Sequence, residues 1–291
     1  MKAWAKYHPV TLIVYFLSVL LVSMFLWNPI VQTSALLGSA CFCAVLQSRR
    51  ETARDLAFYL PLFLMVAVTN PLFSHNGVTP LFFLNGNPVT LEAFLYGAAI
   101  AVMVISVMLW CKCYSKIMTS EKFLFLFGRA IPKLSLILSM ALRFIPLFRR
   151  QSRKVSRAQK AMGLYSSKSY MDRVRAGMRV LMALIGWSLE NSMETAASMQ
   201  ARGYGLKGRT QFSLFRFSTS DGVMLAVSVL LTGVTLLGAG AIEFFFYPRV
   251  SALQASIESC IVYAAFGLLC FLPLILEGKE SIQWRYYRSK I

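Results

Sequence analysis

Hydrophobic positions in this chain fall into long uninterrupted blocks, and the polar positions gather in one extended basic region. Uncharged apolar runs cover residues 10–27, 30–46, 93–111, 222–242 and 260–276. A membrane-crossing helix needs about 20 apolar residues, within roughly 17–25. Residues 56–70 form a shorter apolar stretch, read as a sixth span. The first run follows Lys2 and Lys6, as a secretion signal would. It ends in Trp27-Asn28-Pro29 with no small-residue cleavage site, which predicts an uncleaved first span. The pattern predicts an all-α integral membrane protein with about six transmembrane helices and two long amphipathic helices on its cytosolic side.

Those two helices come from a repeat. Residues 134–163 and 174–203 share one plan: an apolar start, a break near the middle, a polar half and a stop at Ala-x-Gly. The first copy ends Ala161-Met162-Gly163 and the second Ala201-Arg202-Gly203; aligned on these ends, Pro146 faces Gly186. The apolar part of the first copy, 134–148, is about 22 Å long as a helix, short of a hydrocarbon core of about 30 Å. It is expected to lie in the interface or under other helices. Proline at 146 removes one backbone hydrogen bond, which predicts a kink, and Gly186 is the corresponding weak point. In the second copy Glu190 and Glu194 are one turn apart and share a face.

Charge orients the chain. It carries +18 net, with 14 % charged and 57 % hydrophobic residues. Of that excess +15 lies between Lys112 and Asp221, where 20 Lys and Arg meet five acids. Basic residues collect on the cytoplasmic side of membranes. The loops predicted to be outside are almost free of them, so six spans with both termini inside satisfy every loop. The predicted organisation is a four-span region over 1–112, a basic coupling region over 113–221, and a two-span hairpin with its tail over 222–291. So basic a surface implies an anionic partner. No nucleic-acid reading motif accompanies the charge, which leaves anionic inner-leaflet lipid or an acidic protein surface.

Other features carry less. Two Asn-Gly pairs and three prolines in 70–88 predict a short hairpin on the outer side; His75 there is an ordinary loop residue or a ligand contact. Cys41 with Cys43 and Cys111 with Cys113 are spaced by two, which puts the members of each pair on different helix faces. They read as small apolar residues rather than metal ligands.

The Ala-x-Gly ends have a specific chemistry. Glycine fits the left-handed position that closes many helices, and the small alanine lets another backbone approach. Arg202 projects a fork of donors suited to a carboxylate or a carbonyl-rich groove. An arginine at a helix C-terminus also simply complements the macrodipole.

Several motifs together resemble a known family. They are His8-Pro9, Asn70-Pro71-Leu72-Phe73 with Gly86-Asn87-Pro88, Ala141-Leu142-Arg143-Phe144-Ile145-Pro146, Ala158-Gln159-Lys160-Ala161, and Glu190-Asn191-Ser192-Met193-Glu194 leading to Ala201-Arg202-Gly203-Tyr204. The chain resembles, over nearly its whole length, the transmembrane T component of energy-coupling factor (ECF) type ABC importers, the EcfT/CbiQ family. The resemblance implies a non-catalytic permease subunit in a prokaryotic cell membrane, active in vitamin or transition-metal uptake. Its implied partners are two ABC-type ATPase subunits, which bind the ATP, and one substrate-binding membrane S component; no cofactor or metal is expected in the chain itself. Ala201, Arg202 and Gly203, with Ala161, Met162 and Gly163, are then the ATPase-docking residues. Met162 stands where the family usually has Arg, so Arg157 or Lys160 is expected to supply the charge, or the contact to be more apolar.

The alternative is a membrane enzyme or scaffold binding anionic lipid or a phosphorylated substrate through the basic segment. It lacks a catalytic set: the chain has two histidines, and Gly205-Leu206-Lys207-Gly208 does not have phosphate-loop spacing.

Overall fold

The computed structural model describes residues 3–74, 77–84, 87–163, 170–206, 215–252 and 256–288. His75, Asn76, Asn85, Gly86 and the linker residues 207–210 lie outside them. The described elements are α1 (Pro9–Phe25), α2 (Pro29–Leu46), α3 (Arg49–Phe73), a hairpin of β1 (Pro80–Leu84) and β2 (Asn87–Thr90), α4 (Leu91–Ile117), α5 (Ser120–Ala130), α6 (Pro132–Ala161), α7 (Tyr170–Ala201), α8 (Thr219–Leu237) and α9 (Ile257–Arg288).

Five of these, α2, α3, α4, α8 and α9, are long and apolar enough to cross a membrane. The first predicted span, 10–27, is α1, apolar with 17 residues, at the short end of the range of about 17–25. The all-α membrane class therefore holds, with different helix ends. The apolar stretch 56–70 sits inside a 25-residue α3, because the polar turn from Arg49 continues the same helix. The fifth span stops at Leu237 rather than residue 242, where Gly238 leads into a short 3-10 turn, Ala239–Ile242. The sixth runs on to Arg288 through Pro273. Helix α5 has no counterpart in the sequence expectation.

The chain forms two compact units, Met1–Phe123 with Phe215–Ile291, and Leu124–Leu214. In the first, Trp4, Tyr15, Phe16, Phe42, Trp110 and Phe266 are fully buried together. Polar groups in such a core need internal partners, since hydrocarbon offers none. The Tyr15 hydroxyl donates to the Leu269 carbonyl at 2.9 Å, and Trp110 Nε1 to the Ala35 carbonyl at 3.2 Å. Asn28 caps α2 by accepting from Ile30 N–H, and its amide donates to the Ile242 carbonyl and the Tyr263 hydroxyl. Helices α3 and α4 approach backbone to backbone: a Cβ on Gly97 would lie 2.5 Å from the Ala67 carbonyl oxygen. Where α3 begins and α4 ends, Lys112 pairs with Asp55, and Lys116 with Glu51 at 2.6 Å.

A buried polar node joins segments distant in sequence. His8 accepts from Val10 N–H to cap α1, and its own N–H donates to Asp221 Oδ1 at 2.7 Å. The other carboxylate oxygen of Asp221 accepts from Ser218 N–H at 2.9 Å, closing a capping box on α8. Lys122 is also buried; burial pushes its ammonium pKa down, and the charge of Asp221 opposes that shift. The predicted outer hairpin forms, with Pro80 opposite Thr90 and Leu84 opposite Asn87. Buried Glu92 fastens it by accepting from the Thr79 hydroxyl at 2.7 Å.

Candidate docking site

The second unit is built on α6 and α7, of 30 and 32 residues. Both helices continue through the positions the sequence marked, α6 through Pro146 and α7 through Gly186. One lost backbone bond at a proline is carried by the intact bonds on either side. The helices meet at these midpoints, where Phe148 packs edge-on against Trp187 with ring centroids 5.5 Å apart. Thirteen residues separate Phe148 from Ala161, and fourteen separate Trp187 from Ala201. At 1.5 Å per residue each tip lies about 20 Å along its helix from the contact.

Both tips close as the glycines predicted. Gly163 has φ +74° and Gly203 φ +82°, a region L side chains occupy at a cost of roughly 1–2 kcal/mol. In α7 the Gly203 N–H donates to the Gln200 carbonyl at 2.9 Å, and the Tyr204 N–H to the Met199 carbonyl at 3.0 Å. That crossed pair is the Schellman closure. In α6 the Gly163 N–H makes the matching bond to the Lys160 carbonyl at 3.0 Å. The left-handed glycine ends each helix. Ala161, Met162 and Gly163 are exposed, as are Ala201 and Arg202, with Gly203 half-buried. Arg157 and Lys160 are exposed on the same arm as Met162. Tyr204 and Leu206 extend the second tip with exposed apolar surface; the sequence reading gave them no role, although the flanking Gly203 and Gly205 signalled a turn that would display them.

The two arms differ in charge. From Arg149 to Lys160 the first carries six basic residues and no acid. The corresponding residues of α7, 189–200, carry Glu190 and Glu194 and no basic residue, and Arg202 follows the helix. Toward their starts both helices expose large apolar side chains, Leu134, Ile137 and Leu138 on α6 and Met178, Leu181 and Met182 on α7. Contiguous apolar surface of that kind marks contact with lipid or protein. Among the described residues no cluster of three His, Cys, Asp or Glu side chains is placed to hold a metal ion.

The motifs behind the resemblance divide by role. His8 and Asn70 work inside the first unit, His8 at the Asp221 node and Asn70 donating to the Ala93 carbonyl at 2.9 Å. Among the described residues the Ala-x-Gly residues make no comparable long-range tie, and all but Gly203 are exposed.

Comparison with known proteins agrees. The family described as "Cobalt transport protein" (CbiQ) matches residues 4–214. The chain is similar to the energy-coupling factor transporter transmembrane protein EcfT of Listeria innocua, 37 % identical over 106 residues, covering 36 % of this chain and 40 % of that one. It is 31 % identical over 114 residues to the EcfT of Lactobacillus helveticus, covering 38 % and 41 %, and 30 % identical over 106 residues to that of Bacillus subtilis, covering 36 % and 40 %. The chain thus spans about two fifths of the length of the curated relatives it matches. The family match takes in the first four apolar helices and both long helices of the second unit, and on that breadth the chain belongs to the CbiQ family of cobalt transport proteins.

Proposed function

We propose that this chain is the transmembrane coupling subunit of an ECF-type ABC importer. It passes ATP-driven motion from two cytosolic ABC-type ATPase subunits to a separate substrate-binding S component, for vitamin or transition-metal uptake. The chain hydrolyses no ATP itself. It sits in the cell membrane of a prokaryote with six spans and both termini in the cytoplasm, and its basic segment faces anionic inner-leaflet lipid.

The observation that carries this reading is the pair of uncovered, glycine-closed tips at equal distances from one helix contact. Each arm is long enough to reach a separate partner, and both arms are polar at the tip and apolar at the start. Ala201, Arg202 and Gly203 enter a groove on one ATPase, with Ala161, Met162 and Gly163 entering the other. Arg157 and Lys160 supply the charge that Met162 lacks, and Pro146 and Gly186 act as hinges. The apolar starts of both helices hold the S component.

The test is retention of the ATPases by membrane-embedded variants at matched expression. Arg202→Glu is expected to lose at least one ATPase and Met162→Glu to lose less, because charge-assisted hydrogen bonds are worth about 1.5–3 kcal/mol each. Wild-type retention by Arg202→Glu would make Arg202 a helix-end residue with no docking role.

A further inference from the structure

An open groove of about 540 Å³ lies between α3 and α4 in the first unit. Its lining is layered. Arg54 on α3 and Lys112 on α4 mark one level. One turn toward the apolar middle of each helix stand Phe58 and Met108, 60 % and 42 % exposed. Residues four apart on a helix share a face, so both walls present a cation above an apolar side chain.

The acids at this end are engaged. Asp55 pairs with Lys112 and Glu51 with Lys116. Arg49, Arg50 and Arg54 take part in no ion pair among the described residues. The Asp55 side chain is 13 % exposed; Lys112 occupies Oδ1 and Oδ2 is buried, so this carboxylate offers the groove no open acceptor. An occupant that fits must bring a hydrocarbon chain for Phe58 and Met108 and an anion for Arg54.

We infer that the groove holds one phosphatidylglycerol molecule. Its phosphate sits on the Arg54 guanidinium, whose planar fork matches phosphate oxygens. An acyl chain runs along Phe58 and Met108. Basic pockets between membrane helices bind anionic headgroups in this manner. Phosphatidylcholine and phosphatidylethanolamine are both zwitterionic and bring no net charge to offset Arg54, the unpaired cation of the lining. The site goes beyond the coupling role and stands apart from the docking tips.

Native mass spectrometry of the full chain, exchanged into equal mixtures of phosphatidylglycerol with phosphatidylcholine or with phosphatidylethanolamine, tests it. One tightly held phosphatidylglycerol per chain is expected, preferred about tenfold over either competitor. Arg54→Gln, at an exposed position, should reduce that retention about tenfold, and Met108→Trp, which fills the groove, should do the same by a route independent of charge. Arg150→Gln, which removes an equal charge from α6, should retain the lipid. Equal retention of a competitor, wild-type retention by both groove variants, or an equal loss in Arg150→Gln each overturns the site.

Discussion

The two arms of the second unit share a backbone and differ in almost everything attached to it. Both end in a turn closed by a left-handed glycine, and both are about 20 Å from the Phe148–Trp187 contact. The first arm carries six cations in twelve residues with methionine at its tip; the second carries two acids and a terminal arginine. On the proposed function, a repeat with one geometry and two charge patterns would meet two docking partners of similar shape and different surface. The first arm suits a broadly acidic surface met through long-range attraction. The second suits a groove that places one acceptor opposite Arg202.

Exchanging the tips bears hardest on that difference. Met162→Arg combined with Arg202→Met preserves total charge and both helix ends. If the tips are specialised, ATPase retention should fall at least tenfold, consistent with about 1.5–3 kcal/mol per lost charge-assisted bond. Unchanged retention in a pull-down would make the arms interchangeable.

Salt should then separate them. Screening lengths shrink from about 10 Å at 0.1 M to about 3 Å at 1 M ionic strength. Binding through the first arm should weaken severalfold over that range, and the triple variant Arg153→Gln, Arg157→Gln, Lys160→Gln should flatten the dependence. Binding through Arg202 should change less. Affinity measured at a series of salt concentrations decides it, and equal slopes for the two arms would count against the distinction.

The glycines probe what the arms share. Gly163→Ala and Gly203→Ala should each destabilise the last turn by roughly 1–2 kcal/mol, the cost of a side chain in the left-handed region. Gly203→Ala should be the worse, since its Cβ would come within 3.1 Å of Leu206 Cδ1, whereas among the described residues nothing lies within 4 Å of a Cβ at Gly163. Amide hydrogen exchange at residues 162–163 and 203–204 measures both.

The smallest effect is expected where the arms touch. Trp187→Ala removes an aromatic pair worth about 0.5–1.5 kcal/mol beyond its area. Thermal unfolding in detergent should shift modestly. An unchanged midpoint would mean that the arms do not support each other.

The apolar runs were legible in the sequence because spans must be apolar throughout, and each one became a helix. Their ends were not legible: the polar turns after Ser48 and beyond Leu276 stay helical, so composition marks the edge of the hydrocarbon rather than of the helix. Short α5 has no run of its own to signal it. The Ala-x-Gly tips could be read since a left-handed closure has few acceptable residues. Phe148 with Trp187 could not, because a contact between helices leaves no spacing rule. Nor could His8 with Asp221, whose partners lie 213 residues apart. Pro146 was visible, and α6 continues through it for its full 30 residues.

The equal arms have a mechanical corollary. A rigid rod turned about a pivot moves its end in proportion to the radius, so about 20 Å of helix sweeps roughly 3.5 Å for each 10° of rotation. With the pivot at Phe148 and Trp187, neither end has leverage over the other, and a push at Arg202 would translate into a stroke of the same size as a push at Met162. Gearing between the two ends would then have to come from what each one grips.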